Sequence, residues 1–264
     1  MPPVVARLYR YPVKGLNGEA LSAAELAPGR GLPLDRVFAL ALSTAGIDPL
    51  RPAWLSKSHF ATLVRHERLA ALDARYDSGR HVLSIRRNDR NVAQGAVATP
   101  IGRAMIEEFF RAYLKNELAA PPRFVGSEKG AMLSDQPEPG LSIIGLASIR
   151  DIERVVGRPV DPLRFRANVY LEGTDPWEEF GWIGRDVNVG GTRLHVCERI
   201  GRCAATNVEP GSGHRDLNIP LSLMDGFGHA DCGVFARVVT AGAIAVGDPA
   251  GPADEKSADE DPAT

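Results

Sequence analysis

Cys203 sits in the stretch Glu198 to Gly213, ERIGRCAATNVEPGSG, whose composition packing alone would not choose. Gly201 and Arg202 precede the thiol, two alanines, Thr206 and Asn207 follow it, and Pro210, Gly211 and Gly213 supply turn signals. Small residues there leave room for something large. A guanidinium beside a thiol favours the thiolate, the form that attacks electrophiles and binds soft metals. Free cysteines are also among the most buried residue types. One Cys beside one Arg leaves the reactive and the structural readings both open.

Other cations stand in unusual company. Arg164 and Arg166 flank Phe165 ahead of Asn168 in RFRAN, Arg36 follows Asp35 at the start of a strand candidate, and Lys14 lies in a PVKG loop. Guanidinium forks suit phosphates and carboxylates, and lysine adds a point charge. Taken singly, each reads as a solvated surface charge or a local ion pair. Brought together with a thiol, they would form a pocket for an anionic ligand. The six histidines form no HxxxH pattern and the cysteines no CxxC, so structural zinc is not expected. A Cys/His nucleophile pair using His195, His214 or His229 is a combination that any long chain offers. No GxGxxG lies between a strand and a helix, which argues against a dinucleotide site.

The elements that must position these residues belong to a chain of 264 residues, enough for one large or two modest domains. A formal net charge of -2 argues against a nucleic-acid partner. Three cysteines, an odd number with no disulfide framework, point to a reducing cytoplasm. The N-terminus turns polar too soon for a secretory signal, and nothing approaches the roughly 20 apolar residues that cross a bilayer, so no membrane partner is expected. Pro249 to Thr264, acidic and short of large apolar residues, reads as a disordered tail.

Val4 to Tyr11 and Arg36 to Leu42 read as strands, and Ala71 to Tyr76 pairs with His81 to Arg86 around a turn at Asp77 to Gly79. Thr99 and Pro100 open a helix whose Ile101, Met105, Phe109, Tyr113 and Leu114 recur at helical spacing, which predicts a core-facing stripe. Pro121 and Pro122 stop it, and a domain boundary is set at 122/123. Leu141 to Gly145 leads into a helix over Leu146 to Val156, ended by Gly157. Further strands are expected at Ala167 to Leu171, Asp186 to Val189, Thr192 to Arg199, Val234 to Thr240 and Ala243 to Val246. Many short strands and few helices predict a mainly β fold with some α, an α+β class with a twisted barrel or sandwich core.

Taken in order, YPVKG, LDRVFAL, SIIGLASI, RFRANVYLEG, PWEEFGWIG, GRCAATNVEPGSG and AIAVGDP resemble the MOSC family, named for the C-terminal domain of molybdenum cofactor sulfurase. The resemblance covers nearly the whole chain apart from the tail. It implies an N-terminal β-barrel-like domain over 1–122, a MOSC β-barrel over 123–248 and the tail over 249–264. It also implies a molybdenum-pterin cofactor, with Cys203 in the place of the thiolate that ligates molybdenum. By position, Lys14, Arg36, Arg166, Asn168, Arg202 and Thr206 match the residues that hold the pterin and its phosphate. Two stations depart from the family pattern: Gly15 stands for a serine and Ala167 for a proline. No acid occurs in Ile143 to Ser148, although some relatives carry one nearby. Relatives of this arrangement include the amidoxime-reducing component, so the implied activity is reduction of small N-hydroxylated or N-oxide substrates. There is no CxxxxCxxC spacing, so electrons would come from a separate flavoprotein or iron-sulfur protein. The alternative is a carrier of cofactor or sulfur without turnover of its own.

Overall fold

The computed structural model describes residues 2–42, 47–115, 117, 118 and 120–253. The first half holds strands β1 (Val4–Arg10), β2 (Glu19–Leu21), β3 (Ala23–Leu26), β4 (Phe38–Ala41), β5 (Asp73–Asp77), β6 (Val82–Arg87) and β7 (Arg90–Ala96), helix α1 (Pro100–Tyr113) and β8 (Arg123–Gly126). The second half runs β9 (Leu141–Gly145), α2 (Leu146–Val156), β10 (Val169–Glu172), β11 (Asp186–Val189), β12 (Thr192–Gly201), α3 (Ile219–Phe227), β13 (Asp231–Thr240), β14 (Gly242–Ala245) and β15 (Ala250–Pro252). The fold is therefore mainly β with some helix, as its many short strands predict.

One sheet of eight strands dominates, in the order β15-β11-β12-β13-β9-β10-β1-β2. All its pairings are antiparallel except β10 with β9. Its ladder is open between β2 and β15, yet the two sides meet through a Val4–Pro249 bridge. The Val5 N–H donates to Asp248 O and the Ala250 N–H to Pro3 O, both at 2.8 Å. Val5, Ile143, Val169, Leu194 and Val234, all fully buried, line the interior of this sheet. At about 1.5–3 kcal/mol for each large apolar side chain buried, such a cluster is a main source of stability.

Hydrogen bonding crosses the expected boundary at 122/123. Strand β1 lies between β10 and β2 in the eight-stranded sheet, and β3 pairs with β14 in a separate two-stranded sheet, so strands of the first 26 residues are bonded to strands of the second half. The rest of the first half has its own core, with Phe38, Leu83, Ile85, Phe110 and Phe124 buried. Of the tail expected from Pro249, Ala250–Pro252 is a strand instead, paired with β11 at Val187, Asn188 and Val189. Residues 254–264 lie outside those described.

Helix α1 starts as expected, with the Thr99 side chain accepting from the Gly102 N–H. Its buried face begins at Gly102, Arg103, Ile106 and Phe110; of the expected stripe, Leu114 is buried and Phe109 and Tyr113 pack against the core, while Ile101 and Met105 are 77% and 55% exposed. The cause is local. A Cβ on Gly102 would stand 2.2 Å from Ala96 O, so only glycine lets the helix approach β7 this closely. Buried Arg103 then donates to the carbonyls of Val97, Pro49, Phe124 and Gly126 at 2.6, 3.3, 3.1 and 2.7 Å. A polar side chain can occupy a core face when its donors are met.

Candidate active site

All seven residues singled out from the sequence, Cys203, Lys14, Arg36, Arg166, Asn168, Arg202 and Thr206, line one cavity of about 250 Å³ between the two halves. Lys14 follows β1 beyond Pro12, and Arg36 comes just before β4. Arg166 and Asn168 lie between a 3-10 turn over 162–165 and β10, while Arg202 and Cys203 follow the end of β12. None of the seven sits inside a strand, although two expected strands included Arg36 and Asn168.

Arg36 and Arg166 both adopt φ of +53°, the left-handed region that L side chains seldom occupy. Each pays on the order of 1–2 kcal/mol for it. Such outliers point from geometry toward function. The two guanidinium groups lie over one ring, that of Tyr11, at 4.7 and 4.4 Å from its centroid. Arg36 pairs with buried Asp35, which also accepts the Tyr11 N–H at 2.7 Å, and it donates to Arg166 O at 2.8 Å. Arg166 in turn donates to Leu16 O.

The surroundings set the charges differently. Burial, and then repulsion from Arg36, brings the pKa of Arg166 down to about 10. Burial also opposes the charge of Arg36, but the Asp35 carboxylate outweighs it and holds Arg36 above its ordinary value. Lys14, 5% exposed, donates to Leu133 O at 2.9 Å and Asp135 at 2.6 Å. Burial lowers its pKa, with Asp135 offsetting only part of the shift. Asp135 falls below the usual carboxylate range because Lys14 outweighs its own desolvation.

Arg202 differs from its expected role beside the thiol. Its Nε donates to Cys232 O at 2.8 Å and its Nη1 to Phe165 O at 2.9 Å, so the guanidinium is aimed at main-chain carbonyls. Burial lowers its pKa. Thr206 donates from Oγ1 to Cys203 O at 2.9 Å, fixing the peptide that carries the thiol. Asn168 is a tie between strands: Oδ1 accepts from the N–H and Oγ of Ser142 at 3.0 and 2.9 Å, and Nδ2 donates to Tyr9 O at 3.1 Å. Cys203 itself is half-buried and free.

Both departures from the family pattern have local explanations. Gly15 has φ of +86°, and a Cβ there would lie 2.7 Å from Ala61 O, so serine does not fit. The Ala167 N–H donates to Tyr170 Oη at 3.0 Å, a bond that proline cannot make. Tyr170 is fully buried and donates onward to Pro162 O at 3.0 Å.

Other residues at the site were not found in the sequence. Lys57 and Asp135 line the cavity from short segments with no periodic signal, whereas Arg164, already conspicuous beside Arg166 in RFRAN, lines it while bound to Asp216 at 2.7 Å. Glu179, 34 residues from Gly145, brings a buried carboxylate to the segment that lacks one. It accepts from Ser148 Oγ at 3.0 and 2.9 Å and from the Gly145 N–H at 3.3 Å, and burial pushes its pKa up. In total, six cations line the cavity against the carboxylate of Asp135, with Asp35 and Asp216 paired to Arg36 and Arg164. A surplus of positive charge faces a free thiol, an arrangement suited to an anion that also offers a soft metal or an electrophile.

Residues 133–250 match the family model described as the MOSC domain, and residues 3–115 that described as the MOSC N-terminal beta barrel domain. A molybdenum cofactor sulfurase from Caenorhabditis briggsae is 25% identical over 231 residues, 84% of this chain and 31% of the relative. Mitochondrial amidoxime-reducing component 1 from Xenopus laevis is 32% identical over 126 residues, 42% of this chain and 36% of the relative. The chain thus spans about a third of the length of these curated relatives. The YUAD protein from Bacillus subtilis aligns over 95% of this chain and 94% of its own, at 12% identity and a TM-score of 0.44.

Proposed function

Because the chain belongs to the MOSC family, with the N-terminal β-barrel domain ahead of the MOSC domain, we propose that it is a molybdenum-cofactor oxidoreductase acting on N-hydroxylated or N-oxide substrates. The observation that carries this reading is the convergence of Cys203 with six cations in one cavity.

The donor set fits such a group. Among the described residues no three His, Cys, Asp or Glu side chains gather around a common point, so a bare ion would lack ligands. A metal that arrives with sulfur ligands on an organic carrier needs little more than one thiolate, and Cys203 supplies it. Lys14, Arg36 and Arg166 would neutralise the carrier's phosphate, while Thr206 holds the Cys203 carbonyl, Arg202 ties the Cys232 and Phe165 carbonyls together behind the thiol, and Asn168 ties β9 to β1. The Arg164 Nε, buried without a partner, adds an unanswered donor beside the same wall.

When bound, the cofactor supplies removal of an oxygen atom from an N–O bond with two electrons and two protons, leaving the reduced nitrogen compound and water. The chain's own contribution is to bind, to orient and to keep positive charge near the leaving oxygen. Its three cysteines, all free, are too few to hold an iron-sulfur cluster in addition to Cys203. The electrons in this reading come from a separate flavoprotein or iron-sulfur protein, in the cytoplasm. No described helix is long and apolar enough to cross a membrane.

The test is reduction of benzamidoxime by the molybdenum-loaded protein with an artificial electron donor. Formation of benzamidine supports the reading, and absence of turnover by protein with bound molybdenum contradicts it. A carrier of cofactor or sulfur is the second reading, favoured by one observation: the sulfurase relative aligns with 84% of this chain, against 42% for the amidoxime-reducing relative. It requires stoichiometric release of cofactor to an apo-enzyme, which the first reading does not.

A further inference from the structure

Arg215 lies outside the cavity lining but joins its two walls. Its Nη1 donates to Ala204 O, the residue after Cys203, at 2.9 Å. Its Nη2 donates to Leu63 O at 2.9 Å and Val64 O at 2.8 Å and pairs with Glu67 at 3.2 Å. Leu63 and Val64 line the cavity from the first half of the chain, about 150 residues away in sequence. The neighbouring backbone is seated on the same wall. The Gly211 N–H donates to Ala70 O at 2.9 Å, and Gly213, at φ of +76°, would place a Cβ 2.8 Å from Glu67 O. A guanidinium can grip peptides on both sides because its donors form a rigid planar fork, whereas an ammonium is a single point.

We propose that Arg215 is a positioning residue: it fixes the Ala204 carbonyl, and through it Cys203, against the Leu63–Val64 wall, and so sets how freely the thiol meets solutes. The Glu67 pair is partly exposed, at 32% and 40% of the two side chains, and adds little, so the grip lies in the carbonyl bonds. Arg164, which donates to Asn207 O at 3.1 Å, and Thr206 still hold the rest of the loop when Arg215 is replaced. The loop then opens locally while the fold stays intact.

The inference does not depend on the cofactor reading, and its test uses protein free of molybdenum. Alkylation of each cysteine by iodoacetamide is followed by peptide mass spectrometry, with half-buried Cys197 as the reference within the same molecule. Arg215→Ala is expected to raise the Cys203-to-Cys197 rate ratio about tenfold. Arg215→Lys is expected to raise it about threefold, and Glu67→Gln to leave it unchanged. An unchanged ratio in Arg215→Ala overturns the inference, as does a full effect from Glu67→Gln, which would put the grip in the ion pair. If Arg215→Ala does not fold, Arg215→Lys decides alone: an unchanged ratio overturns the inference and a raised one supports it.

Discussion

On the wall of the cavity built from the first half of the chain, Lys14 and Arg36 each face a carboxylate, Asp135 and Asp35. On the wall built from the second half, Arg166 and Arg202 donate to main-chain carbonyls of Leu16, Cys232 and Phe165. Arg164, also of the second half, follows the first pattern through Asp216. A carboxylate holds a cation in place and cancels its charge, whereas a carbonyl holds it in place and leaves the charge standing. The difference separates cations that shape the cavity from cations that give it its field. Burial is the main reason Arg166 falls to about 10, and with Arg36 beside it and no carboxylate of its own little offsets that shift.

The largest expected effect comes from the wall without carboxylates. Arg166→Asn removes an uncompensated charge and places at φ of +53° a residue that tolerates the left-handed region. Inorganic pyrophosphate should bind the molybdenum-free variant about tenfold to a hundredfold more weakly by titration calorimetry, the usual range for a lost charge-assisted contact. The ligand-free variant should nonetheless melt on the order of 2 °C higher, since repulsion and strain are relieved together. A lower melting point with unchanged pyrophosphate binding would reverse the assignment of the two walls.

Smaller effects should come from the carboxylate-paired wall. Lys14→Met leaves Asp135 facing the anion unpaired and should weaken pyrophosphate binding about tenfold. The double variant Lys14→Met with Asp135→Asn removes both charges and should recover most of that loss. Recovery is the mark of a cancelled pair; a double variant as weak as the single one would show that Lys14 contributes field of its own.

The pH dependence is weaker still, and its sign follows from which state keeps the proton. Arg166 titrates near 10 in the folded protein and at its ordinary higher value when unfolded. In the interval between, the unfolded chain binds more protons, so this residue makes folding more favourable as pH rises, while anion affinity falls through the same range. Asp135 works at the acid end. Its folded pKa is depressed, so its stabilising contribution is present above the ordinary carboxylate value and is lost as pH falls through the folded one. Its side chain is more than half exposed, which keeps that contribution small. Acid melting curves of wild type and Asp135→Asn should therefore differ only slightly.

Much of this arrangement was legible in the residues. Helix α2 was marked by Gly157, which closes it at φ of +75°. The turn at Asp77 to Gly79 located β5 and β6, although β7, which follows a turn at Asn88 and Asp89, was missed. Helix α3 was missed as well, despite an Asn218 cap accepting from the Leu221 N–H and a proline in the first turn. The first two turns of the α1 face were misplaced because periodicity registers apolarity, and nothing in it shows that Gly102 admits a strand or that Arg103 finds four carbonyls. Five of the six cations of the site stand out by their sequence company, and an ordered resemblance places all of these but Arg164 at one site, but Lys57 and the partners of the cations do not stand out. Asp135 and Leu133 lie about 120 residues from Lys14, and Phe165 and Cys232 lie 37 and 30 from Arg202. Contacts across such separations are set by how the sheet curls, which no local pattern records.

The central claim is that Cys203 is the protein's ligand to a molybdenum-pterin group, and metal content tests it most directly. Wild type, Cys203→Ala and Cys197→Ala would be purified from a host that makes the cofactor, and molybdenum measured per protein chain. The expected result is near-stoichiometric molybdenum in wild type and Cys197→Ala and its loss in Cys203→Ala, with all three folded alike. Equal molybdenum in Cys203→Ala and wild type, or none in a folded wild type, would contradict the claim.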